Sequence, residues 1–130
     1  MQTTRHEFET LSSTILGAAV AVHKELGPGY QESIYANALS VALTERGVVH
    51  SREHELVLSY HGVPVGRHRL DLLVDDAVVV ELKAVEKVLE LHKAQLRSYL
   101  KSTGKEIGLL LNFEAPVLEI KRIVNTHTHQ

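Results

Sequence analysis

The sequence predicts an α/β domain built on a mixed sheet with helices packed against it, and three observations predict it. Stretches with apolar residues every three or four positions open the chain and return after residue 86. Short branched-aliphatic runs at 70–74, 77–82 and 107–113 have the composition of strands. Those runs carry apolar residues on both faces, so they belong at the centre of a covered sheet rather than at a wet edge. The resulting order is helix, helix, three strands, helix, two strands.

Residues 10–26 place Leu11, Ile15, Ala18, Ala19, Val22 and Leu26 on one face of a first helix, which stops at Gly27-Pro28-Gly29. Gly17 beside Ala18 and Ala19 suggests the close approach of a neighbouring helix. His23, on the edge of the apolar face, reads as a packing residue rather than a ligand. A second helix over 31–46 turns Ile34, Ala38, Leu39, Ala42 and Leu43 inward and ends at Gly47. Glu32 lies in its first turn, where the helix dipole favours an acid whatever its function. Residues 48–58 read as a strand or irregular strand, and 60–66, with Gly62, Pro64 and Gly66, as a turn region. Arg67, His68 and Arg69 then form the densest basic cluster of the chain. They suit either a solvated strand start or a phosphate contact made by Arg67 and Arg69 beside a site.

A third helix over 86–102 brings Val88, Leu89, His92, Leu96, Tyr99 and Leu100 to one face with Gln95 at its margin. If His92 and Gln95 are buried, they need partners. Lys93, Arg97 and Lys101 make a stripe on the other side that reads as solvated. Residues 107–113 form another central strand, and the segment after Pro116 an edge strand.

Composition bounds the function. The 130 residues suit a single domain over 1–130, its core at about 10–124 and its tail, 125–130, flexible. Without cysteine there is neither a disulfide nor a thiolate zinc site. No run approaches membrane-spanning length and MQTTRHEFET lacks the regions of a signal peptide, so a cytoplasmic protein is the default. A formal charge of -2 offers nucleic acid no global attraction; binding would need local clusters and metal ions. The nine histidines are dispersed, no two of them at i, i+3 or i, i+4 on one predicted helix, and His127 and His129 fall in the polar tail.

The chemistry concentrates in LDLLVDDAVVVELK, residues 70–83, where Asp71, Glu81 and Lys83 interrupt two apolar runs. Asp75-Asp76 reads as the tight turn of an antiparallel hairpin. A period of two sends Val79, Glu81 and Lys83 to one face and Val78, Val80 and Leu82 to the other. A two-residue loop would turn Asp71 away from Glu81, whereas a three-residue loop or bulge pairs Val74 with Val78 and opposes the two acids. Carboxylates facing each other at roughly 5 Å between Cβ atoms repel and call for a cation. A divalent metal beside Lys83 meets that need.

Asp71 followed by Glu81-Leu82-Lys83 resembles the D...(D/E)-x-K motif of the PD-(D/E)xK nuclease superfamily, with Leu70 in place of the usual proline. Gly29, Glu32 and Tyr35 within GPGYQESIY, preceded by HKEL, resemble the hallmark of the GxxExxY family of that superfamily. Gln95 and Tyr99 resemble the Q-x-x-x-Y element of RecB-type nucleases. The resemblance implies a restriction-endonuclease-like core and Mg2+ or Mn2+ held by Asp71, Glu81, the Leu82 carbonyl and, directly or through water, Glu32. Lys83 would orient the attacking water or stabilise the transition state, Gln95 and Tyr99 would position Lys83 or a phosphate oxygen, and Tyr35 would orient Glu32 or pack beneath it. The implied activity is hydrolysis of nucleic-acid phosphodiesters, DNA ahead of RNA. The alternative is a nuclease-fold binding or regulatory module without turnover, acting with a partner protein. So small a domain also fits a homodimer or a larger partner.

Overall fold

The computed structural model describes residues 4–125. They form α1 (Arg5–Leu26), α2 (Glu32–Glu45), β1 (His50–Tyr60), β2 (Val63–Val74), β3 (Val78–Lys83), α3 (Glu90–Thr103), β4 (Ile107–Asn112) and β5 (Glu119–Val124). The element order and the mixed α/β sheet are those the sequence predicts. The five strands lie in the order β1-β2-β3-β4-β5. Only β3 and β4 run parallel, with α3 as their crossover.

The two central strands β3 and β4 are buried throughout except at Lys83, which explains their largely aliphatic composition. One face of the sheet, with Leu72, Val78, Val80 and Leu82, packs against Ile15, Ala18 and Ala19 of α1 and Leu39 and Leu43 of α2. The opposite face, with Leu73, Val79 and Leu110, packs against Leu96 and Leu100 of α3. Gly108 permits that second contact: a Cβ there would lie 2.9 Å from a methyl of Leu96.

Several boundaries differ from expectation. The first helix starts at Arg5, not residue 10, because Thr4 caps it by accepting the Glu7 amide at 3.1 Å. Gly17 faces open space, so the tight approach to α2 rests on the alanines alone. The turn region at 60–66 shrinks to His61 and Gly62, both at positive φ. Here β2 begins at Val63 and absorbs Pro64 and Gly66, the register slipping beside Ser59 and Pro64, where a missing N–H matters least. The third helix begins at Glu90 because Leu89 is extended (φ -98°, ψ 159°) and its amide is taken by the His92 ring at 3.0 Å. Val88 is buried ahead of the helix, Leu89 is exposed, and the histidine expected to need a partner is an N-terminal cap. The expected frayed tail with His127 and His129 lies outside the described residues.

Candidate active site

The β2–β3 hairpin builds the site. Asp75 and Asp76 both take φ of 52°, a conformation short acidic side chains tolerate. The Ala77 amide donates to the Val74 carbonyl at 2.9 Å. Pairing then resumes with Val74 opposite Val78, leaving Ala77 as the extra residue, so the longer connection required to oppose the two acids is present. The ladder runs through Leu73↔Val79 and Leu72↔Val80. At the next step the side chains replace it. The Asp71 amide donates to Glu81 Oε1 at 3.1 Å, and the Leu82 amide donates to Asp71 Oδ2 at 2.8 Å.

This exchange fixes each carboxylate by one oxygen on the opposing strand, while the other oxygens, Asp71 Oδ1 and Glu81 Oε2, accept no hydrogen bond among the described residues. Glu81 is buried at 5% exposure. Burial and the Asp71 charge push its carboxyl up to about 8, against the smaller opposing pull of the Asp71 amide and Lys83. Asp71 is raised as well, by burial and by Glu32, although the Leu82 amide and Lys83 oppose the rise. Two acids that resist joint ionisation are thus locked side by side.

Further elements deliver the remaining groups. Glu32, in the first turn of α2, accepts the Ala84 amide on Oε2 at 3.3 Å and so reaches the end of β3. Its charge adds to the repulsion felt by both acids. The Lys83 side chain forms no hydrogen bond or ion pair among the described residues and shares a small cleft with Glu81, His68, Gln95 and Tyr99. Gln95 is solvent-exposed and Tyr99 half-buried. Burial and the Glu81 charge raise the Tyr99 hydroxyl above its usual range.

Two structural side chains hold this arrangement. Tyr35 forms no hydrogen bond with Glu32: its hydroxyl donates to the Gly27 carbonyl at 2.5 Å and accepts the Tyr30 amide at 3.2 Å, and its ring stacks on Phe113 at 4.5 Å. It pins the loop before α2, where Gly29 (φ 112°) needs the absence of a Cβ, and thereby sets the helix end that presents Glu32. Asn112, fully buried at the end of β4, accepts the Val85 amide at 3.1 Å and donates to the Val85 carbonyl at 2.8 Å. It fixes the chain as it leaves Lys83. Nothing in the sequence singled Asn112 out, because its partners come from distant elements.

His68, read from sequence only as part of a basic cluster, lies in the cleft. The alternation of β2 shifts at Asp71, since Leu70 and Leu73 both join the α3-side core while Leu72 joins the other. His68 therefore faces α3 and stacks on Tyr99 at 4.1 Å. Arg67 and Arg69 alternate away from His68 and are exposed, and Arg67 pairs with Glu55 on β1 at 2.7 Å. His23 packs as a core residue, buried on Phe113 with Nε2 2.8 Å from the Ala115 carbonyl.

A fold and site of this form carry a family resemblance that comparison now decides: residues 9–123 match the PD-(D/E)XK nuclease superfamily. The chain belongs to that superfamily. No curated protein matches it. No solved structure does so either. The residues read from sequence as resembling the motif, Asp71, Glu81 and Lys83, with Leu70 in the place of its proline, lie inside the matched span.

The donor set of this PD-(D/E)XK domain fits a divalent cation in chemistry. Among the described residues no three His, Asp or Glu side chains are grouped as ready ligands. What the hairpin supplies is a pair of carboxylates with one unsatisfied oxygen each, plus adjacent backbone. Hard oxygen donors with few protein ligands suit Mg2+ or Mn2+ rather than a histidine-bound transition metal.

Proposed function

We propose that this PD-(D/E)XK domain is a cytoplasmic, divalent-metal-dependent nuclease of the GxxExxY type that hydrolyses phosphodiester bonds, with DNA favoured over RNA. The observation that carries the reading is the Asp71–Glu81 pair, two carboxylates pressed together in a buried hairpin end with no cation of the chain bonded to them. Such a pair costs stability in the absence of a cation and is retained at functional sites.

Asp71, Glu81, the Leu82 carbonyl and Glu32, directly or through water, would hold Mg2+ or Mn2+. The ion supplies a Lewis acid that lowers the pKa of a water and offsets charge on the phosphate. Lys83 projects from the same face of β3 as Glu81 and acts as the hydrogen-bond donor to the attacking water or to the phosphoryl oxygens as charge grows on them. Gln95 and Tyr99, on the cleft wall, position Lys83 or a phosphate oxygen. Water adds to phosphorus, the ester bond breaks, and the leaving oxygen takes a proton from solvent. Arg67 and Arg69 on the outer part of β2 offer contacts to flanking phosphates.

One observation favours a second reading, a nuclease-fold module that acts only with a partner or as a dimer. Several basic side chains are already paired with acids, Arg67 with Glu55, Lys93 with Glu90, Lys105 with Asp76 and Lys121 with Glu119, so part of the positive surface is neutralised within the chain. Cleavage of labelled single- and double-stranded DNA and RNA in Mg2+, Mn2+ or EDTA tests the proposal. The nuclease reading requires metal-dependent cutting that is lost in Asp71→Asn and Lys83→Ala. Metal binding without cutting by the native chain supports the partner-dependent module instead.

A further inference from the structure

His68 lines the cleft, and the nuclease reading leaves its geometry unused. Its Nε2 is buried and has no hydrogen-bond partner, although a buried polar atom left unpaired is destabilising. The nearest charged atom is Glu81 Oε2, 3.8 Å away, the very oxygen that the Asp71 amide leaves free. That separation exceeds a hydrogen bond by roughly an ångström. The ring has little freedom to turn elsewhere, because it lies nearly parallel to Tyr99, at 17° and 4.1 Å between centroids. Tyr99 is in turn anchored on α3, between the buried Leu96 and Leu100.

From this we infer that His68 is a positioning residue for Glu81: with a divalent cation on the Asp71–Glu81 pair, its Nε2–H closes onto Glu81 Oε2 and holds the carboxylate turned toward Asp71. The inference rests on the metal-dependent reading above and deepens it. A metal-bound Glu81 is ionised and accepts only, so the histidine must donate through the Nε2 that faces it. With the proton on Nε2, a neutral ring leaves Nδ1 bare. The Tyr99 stack gives the aromatic of the Q-x-x-x-Y element a second task, as the wall that fixes the histidine plane.

Two variants separate donor from wall. His68→Phe keeps a ring on Tyr99 and removes the donor; His68→Gln removes the ring and retains a donor. Mg2+ titration by calorimetry, without substrate, should show the phenylalanine variant binding about 10- to 100-fold more weakly than the native protein, the usual cost of losing a group that orients a metal ligand. The glutamine variant should recover most of that loss. In the native protein with Mg2+, ring 15N shifts should report the Nε2-protonated tautomer of His68. Native affinity in folded His68→Phe, or an Nδ1-protonated ring with Mg2+ bound, overturns the inference and leaves the metal reading intact. A native chain that binds no Mg2+ overturns both.

Discussion

Replacing Glu81 by glutamine should stabilise the metal-free protein at neutral and alkaline pH while destroying its metal site. The side chain is 5% exposed, and its carboxyl sits at about 8 instead of 4.5 because burial and Asp71 disfavour its charge. Between those two values the folded protein retains a proton that the unfolded chain has released. Stability therefore declines as pH rises through that window, and the penalty is complete above pH 8. At 1.36 kcal/mol per pH unit the full displacement corresponds to ~5 kcal/mol. Part of it is the Asp71 repulsion, shared between both acids, so about 3 kcal/mol is the figure for one residue. Glutamine keeps an oxygen for the Asp71 amide, bonded at 3.1 Å in the native protein, and carries no charge at any pH. Urea melts in EDTA should show Glu81→Gln matching the native protein at pH 4.5 and exceeding it by about 3 kcal/mol at pH 8.5. Mg2+ at a thousand times its Kd should reverse the order, since it adds ~4.1 kcal/mol to the native protein alone. Parallel pH profiles, or a variant less stable at pH 8.5, would show that the two acids do not oppose each other as argued.

Other predictions follow from single contacts. Lys83→Ala should abolish cleavage and leave Mg2+ affinity by calorimetry within a few-fold of native if, as proposed, the lysine serves the reacting groups rather than the ion; lost metal binding would assign it a different role. Tyr35→Phe removes the hydroxyl that joins Gly27 and Tyr30, and should cost about 1–3 kcal/mol in a urea melt. It should also lower Mg2+ affinity by loosening the end of α2 that presents Glu32; an unchanged affinity would remove Glu32 from the site. Asn112→Leu deprives both backbone polar groups of half-buried Val85 of their partner and should cost about 1–3 kcal/mol by the same measurement.

Much of this fold could be read from sequence because its elements obey simple periods. The apolar stripe of α1 and the aliphatic runs of β3 and β4 point one way at the level of propensity, pattern and burial. The loop opposing Asp71 and Glu81 was legible for a different reason: only one register brings the acids together, and the chemistry demanded it. What escaped the sequence depends on side chains bonding to backbone or on contacts between distant residues. Val88 and Leu89 continue the helical spacing of α3, yet His92 caps the helix after them. A regular strand would align Arg67 and Arg69 with Asp71, but the alternation of β2 shifts where side chains replace the ladder, turning His68 inward instead. The start of α1 at Thr4 was available in the spacing of Thr4 and Glu7, a cap-and-acid pattern that the apolar stripe overshadowed.

The measurement that tests the central claim most directly is anomalous scattering from crystals of the protein grown with Mn2+. The account predicts one dominant peak at the β2–β3 hairpin end, about 2.2 Å from oxygens of both Asp71 and Glu81, in the range of hard-cation coordination, and none in Glu81→Ala. A peak held by histidines elsewhere, or no peak in crystals diffracting well at saturating Mn2+, would contradict it.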